Sequence, residues 1–173
     1  MSKPPEVWLR GPLPGVTPLL QPAAHALLQC AEEMRATLPT LTDAQLRARP
    51  GGAASIAYHV VHALGSLDRL YGYARGEPLS AAQLEVLAAE KRVNDEPTDG
   101  AALAERFTAG VERALAQLRA TPADALTAPR EVGRQRLPST VVGLLFHGAE
   151  HTQRHTGQVA TTARVVRGLA PGA

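Results

Sequence analysis

Apolar residues recur at three- and four-residue intervals over four long stretches of the chain, the period of helices that each bury one face. Between Leu19 and Leu38 the stripe is Leu20, Ala24, Leu27, Leu28, Ala31, Met34 and Leu38, with Pro22 in the first turn, where its missing N–H has no helical partner to lose. Between Ser55 and Gly76 it is Ile56, Val60, Ala63, Leu67, Leu70 and Tyr71, and between Ala101 and Ala120 it is Leu103, Phe107, Val111, Ala114, Leu115 and Leu118. A fourth helix is predicted from Ser139, read as its N-cap, to about Val166, with Gly168, Pro171 and Gly172 ending it. Shorter pieces lie between. Thr42-Asp43 caps a brief turn before Pro50-Gly51-Gly52, and Ser80 to Lys91 is weakly amphipathic. Thr121 to Pro138 reads as irregular, and no stretch alternates in a way that predicts a strand.

Four helices of roughly five to eight turns predict an all-α fold, a four-helix bundle in which two long links cross the end rather than make tight hairpins. Pro4, Pro5, Pro12, Pro14 and Pro18, with Gly11 and Gly15, exclude a helix at the start and predict an extended proline-rich arm over residues 1–18, anchored by Trp8 and Leu9. The bundle is then 19–167, and 168–173 is a tail. A chain of 173 residues fits one such domain, and 45% hydrophobic against 3% aromatic residues predicts a core of Ala, Leu and Val. The net charge of +2 is small and dispersed, which argues against a nucleic-acid partner. The local cluster Arg130, Arg134 and Arg136 reads as a solvated loop. The single cysteine, Cys30, excludes an intramolecular disulfide and a multi-thiolate zinc site, and its apolar-periodic position predicts an inert buried thiol. The start of the chain lacks an apolar leader core and no run of eighteen apolar residues occurs, so the expectation is a cytoplasmic protein with no membrane partner.

Chemistry concentrates in the histidines. Of six, five fall in two predicted helices: His59 and His62 in the second, His147, His151 and His155 in the fourth. The remaining one, His25, reads as a surface or hydrogen-bonded residue. His151 and His155, four apart, lie about 40° apart around a helix, so both rings reach one point. Neutral imidazole ligates zinc, nickel, copper and iron, and three histidines with an open fourth position describe a catalytic rather than a structural site. His59 and His62 are separated by about 60°. His59 lies nearer the stripe of Ile56, Ala63 and Leu70, so periodicity leans toward it over His62.

The segment Ser55-Ile-Ala-Tyr-His59-Val-Val-His62-Ala-Leu-Gly-Ser-Leu-Asp68, together with His151-Thr-Gln-Arg-His155-Thr-Gly-Gln158, resembles the DinB/YfiT-like metalloenzyme superfamily, over most of the chain from about Leu19 to Val166. That resemblance implies His62, His151 and His155 as ligands of a divalent metal, zinc or nickel, in a bundle that is commonly a homodimer. Relatives include thiol S-transferases that use mycothiol or bacillithiol, so it implies a metal that activates a low-molecular-weight thiol for a small-molecule substrate. The alternative is a non-catalytic metal- or small-ligand-binding stress-response protein. His59, His147, Glu150 and Gln158 lie within about a turn of the implied ligands and are candidates for orienting an imidazole or touching substrate. The overlapping His147-Gly-Ala-Glu150-His151 matches a zinc-protease pattern, but that class needs a downstream acidic ligand and no Asp or Glu follows Glu150.

Overall fold

Side-chain caps set where the helices begin. The computed structural model describes residues 4–169 and contains the helices α1 (Gln21–Thr37), α2 (Asp43–Arg47), α3 (Ile56–Arg75), α4 (Ala81–Glu90), α5 (Gly100–Ala120) and α6 (Val141–Gly168). Ser55 caps α3 by accepting the Tyr58 N–H, and Asp99 caps α5 by accepting that of Ala101. Thr42 with Gln45, and Ser80 with Gln83, form reciprocal capping boxes on α2 and α4. Gly76, at φ 83°, stops α3 in the left-handed conformation that glycine adopts without strain.

The expected helices are therefore present within a few residues, but the segment before α6 differs from expectation. Pro129–Val132 (β1) and Leu137–Thr140 (β2) pair antiparallel, turning through Gly133 and Arg136 at positive φ. Strand β2 uses Ser139, so the cap of α6 moves to Thr140, whose hydroxyl accepts the Gly143 N–H. Two four-residue strands carrying Arg130, Glu131 and Pro138 have no apolar alternation to announce them; backbone pairing makes this hairpin, with Arg136 paired to Glu131 and Val132 packed on the core. Arg130 leaves the expected solvated loop and donates to the Ala74 carbonyl at the end of α3, at 2.8 Å.

The arm also departs from a wholly extended form. Val7–Arg10 and Pro18–Leu20 are short 3-10 turns, and the anchor is Val7, buried with its N–H on Gln29 Oε1, while Trp8 and Leu9 are exposed. The Gly11 carbonyl accepts a bond from His25, which fits that residue's expected hydrogen-bonded role. Residues 1–3 of the expected arm and 170–173 of the expected tail lie outside the described residues.

The four long helices enclose one core. Helix α3 packs chiefly on α6 and α5, and α1 packs chiefly on the same two. Helices α1 and α3, consecutive among the four long helices, thus stand diagonally, so the link between them crosses the end of the core. Phe107, Leu27, Met34, Leu38, Ile56, Val60, Leu118 and Leu145 are fully buried there. Helices α3 and α6 run antiparallel: Tyr71 donates to the Leu145 carbonyl near one end of their seam, and His59 meets His155 near the other. Their close approach depends on Gly148, where a Cβ would lie 2.8 Å from Tyr71 Cε1. No described helix is long and apolar enough to cross a membrane.

Candidate metal centre

The antiparallel seam of α3 and α6 places histidines from both helices in one cluster. One nitrogen from each of His62, His151 and His155 lies within 4.8 Å of the others. Ring centroids are separated by 5.3 Å for His62 and His151, 4.9 Å for His62 and His155, and 4.5 Å for His151 and His155. His155 is buried, and the other two are half-buried.

Each α3 histidine is held from outside this cluster or against it. His62 turns Nε2 toward His151 Nε2, at 3.2 Å, and Nδ1 toward Glu90 Oε2, at 2.7 Å. Glu90 ends α4 and is 2% exposed, and Arg69 Nη1 donates to its other oxygen at 2.7 Å. Space for this carboxylate exists because residue 65, nearly one turn past His62, is glycine: a Cβ there would run into Glu90 Oε1 and lie 2.9 Å from Arg69 Nη1. Tyr58 stacks on the His62 ring with centroids 5.4 Å apart and planes 4° from parallel. His59, which periodicity favoured, is buried one step away: its Nδ1 lies 3.0 Å from His155 Nδ1, so one ring donates to the other. The polar residues beside the α6 histidines satisfy themselves within the helix, Thr152 donating to the Gly148 carbonyl and Thr156 to that of Thr152.

Burial favours the neutral form of His59, His151 and His155. It is the first cause of the depressed proton affinity of His59, His151 and His155, reinforced by the neighbouring histidines, and it brings His155 down to about 4. Neutral imidazole is the form that donates a lone pair to a metal. One pair of donors has the spacing that such chemistry requires. Two nitrogens bound tetrahedrally at ~2.0–2.1 Å would stand about 3.3 Å apart, against the 3.2 Å between His62 Nε2 and His151 Nε2. The donor set of three imidazoles therefore suits a divalent transition-metal ion.

The other expected residues divide. His59 touches His155. His147 is exposed, its ring 5.7 Å from that of His151, and Glu150 accepts from Arg154 at 2.6 Å and lies 3.4 Å from His147 Nδ1. Gln158 is exposed and makes no hydrogen bond to the three rings among the described residues. Glu90, Arg69 and Tyr58 are the contacts that sequence reasoning did not assign to the site. Cys30 is buried as expected, and burial pushes its thiol up to about 11. A cavity of about 370 Å³ opens between α3, α4 and α5, walled by Val61, Gly65, Arg69, Val86, Arg106 and Arg113; none of the three histidines lines it.

The DinB superfamily model matches residues 26–159, a span that includes all five clustered or flanking histidines of α3 and α6 and Glu90. The chain belongs to the DinB superfamily. Among solved structures it is similar to one described as the conserved protein of locus from Enterococcus faecalis, with a TM-score of 0.64 and 21% identity over 86% of this chain and 97% of that one. At that identity the likeness shows the fold alone. No functionally curated protein matches the chain.

Proposed function

We propose that this DinB-superfamily chain is a metal-dependent enzyme in which His62, His151 and His155 hold a divalent ion, zinc or nickel, and the reaction transfers a low-molecular-weight thiol of the bacillithiol or mycothiol type. The observation that carries the reading is the convergence of three imidazole nitrogens, within 4.8 Å, from two helices. When bound, such an ion lowers the proton affinity of a thiol in its open position and yields a thiolate near neutral pH. The protein's own groups supply the rest: His59 braces His155 and Tyr58 braces the His62 ring. The nucleophile comes from a cosubstrate because Cys30 is buried with a raised proton affinity. His147, Glu150 and Gln158, on the more open side of α6, are our candidates for touching substrate, and a homodimer fits the family reading.

Elemental analysis of protein purified without a histidine tag tests the metal, and a screen of small thiols with electrophiles tests the transfer. His62→Ala and His151→Ala should each lose the metal while circular dichroism stays unchanged; unchanged metal content in both would sink the site. The second reading is a non-catalytic metal binder. It is favoured by one observation, that none of the three histidines lines the 370 Å³ cavity beside them. Stoichiometric metal without thiol turnover across the screen would select it.

A further inference from the structure

Helix α4 is built the wrong way round for a helix that merely covers a core. Its sole buried residue is Glu90, while Leu84, Val86 and Leu87 are 45%, 46% and 38% exposed. A peripheral amphipathic helix ordinarily buries its leucines and leaves its carboxylates in water. A buried ion pair adds little to stability over apolar residues of the same volume. The burial of Glu90 therefore calls for a reason other than holding α4 in place.

The contacts of Glu90 supply one. Its carboxylate bridges two donors, Arg69 Nη1 on Oε1 and His62 Nδ1 on Oε2, both at 2.7 Å. A carboxylate oxygen only accepts, so the imidazole proton sits on Nδ1. A neutral imidazole has one N–H, and with it on Nδ1 the lone pair is on Nε2, the atom turned toward His151. We propose that Glu90 is a positioning residue that fixes the tautomer and ring angle of His62, with Arg69 as the charge that lets this carboxylate stay buried. The inference rests on the metal reading of the three histidines and adds to it a fixed outer partner for one ligand. Such partners, when removed, typically change metal affinity 10- to 100-fold. Gly65 belongs to the same arrangement, since any side chain there would displace the carboxylate. His155 has its own brace in His59, so the two clamps come from different elements and are separable.

The test uses the full chain. Zinc affinity is measured by competition with a chromophoric chelator for the wild type, Glu90→Met and Glu85→Met, the last altering an exposed carboxylate of the same helix. Glu90→Met is expected to bind zinc 10- to 100-fold more weakly with unchanged circular dichroism, and Glu85→Met to bind as the wild type does. Equal affinity in Glu90→Met overturns the proposal and leaves the metal site standing. No zinc uptake by the wild type overturns the metal reading and this proposal with it. Should Glu90→Met fail to fold, nitrogen-15 spectra of the histidine rings in the metal-free wild type still decide. A proton on His62 Nδ1 supports the positioning role, and a proton on Nε2 refutes it.

Discussion

Gly65→Ala should destabilise the protein although alanine is the better helix former. In an exposed helix interior the exchange gains up to about 1 kcal/mol. Residue 65 is buried, and the new methyl would collide with Glu90 Oε1 and crowd Arg69 Nη1. The carboxylate has little room to retreat, because His62 holds its other oxygen. A buried, charge-assisted hydrogen bond contributes about 1.5–3 kcal/mol. Breaking one therefore outweighs the gain in propensity, for a net loss of roughly 0.5–2 kcal/mol. Gly157→Ala is the matched control: it lies within α6, is exposed, and a Cβ there meets nothing within 4 Å. It should gain about 0.5–1 kcal/mol. Urea unfolding of both variants, followed by circular dichroism at constant m-value, measures the two signs together. A Gly65→Ala protein as stable as the wild type would refute the close packing of Glu90 against α3.

Acid should weaken the metal-free protein well above the carboxylate range. His155 titrates at about 4 in the fold against an ordinary 6.5, and His59 and His151 are shifted the same way. The unfolded chain then binds more protons between those values, so stability is full above pH ~6.5 and falls as pH drops toward ~4; a urea midpoint that rises on acidification would contradict this. The Cys30 thiol, raised from 9.0 to about 11 by burial, holds a thiolate fraction about a hundredfold smaller than an ordinary cysteine near pH 8. It should react with a disulfide reagent only after denaturant is added, and prompt reaction of the native protein would show that the thiol is open to solvent.

The long helices were legible because burial and periodicity are the same fact seen twice. Ile56, Val60, Ala63, Leu67 and Tyr71 all face the core, as do Leu103, Phe107, Val111 and Leu118. The hairpin at Pro129–Thr140 was not legible, since its strands are too short and too polar to carry a pattern and exist through backbone bonds. Periodicity leans to His59 over His62 because it registers nearness to the apolar stripe. The stripe's centre packs against carbon, and His59 is indeed buried, but a ring that joins a partly open cluster belongs at the stripe's edge. The family resemblance implies His62, and one of its nitrogens lies within 4.8 Å of those of His151 and His155. Glu90 gave no local signal, because what buries it is Arg69 and His62, 21 and 28 residues away in sequence.

The histidines of α6 repeat every four residues, at 147, 151 and 155, so the helix offers the same pair of rings in two frames. Sliding α6 along α3 by four residues, about 6 Å, would bring His147 and His151 to the places that His151 and His155 now hold. The cluster alone does not distinguish these frames. Gly148 does: the slide would carry Leu144 to its place, against a Tyr71 ring that leaves a single Cβ only 2.8 Å and beside a Leu67 methyl at 3.2 Å. One residue without a side chain thus sets the phase of a repeating set of ligands, and the choice of which two histidines face His62 is made by packing rather than by the histidines themselves.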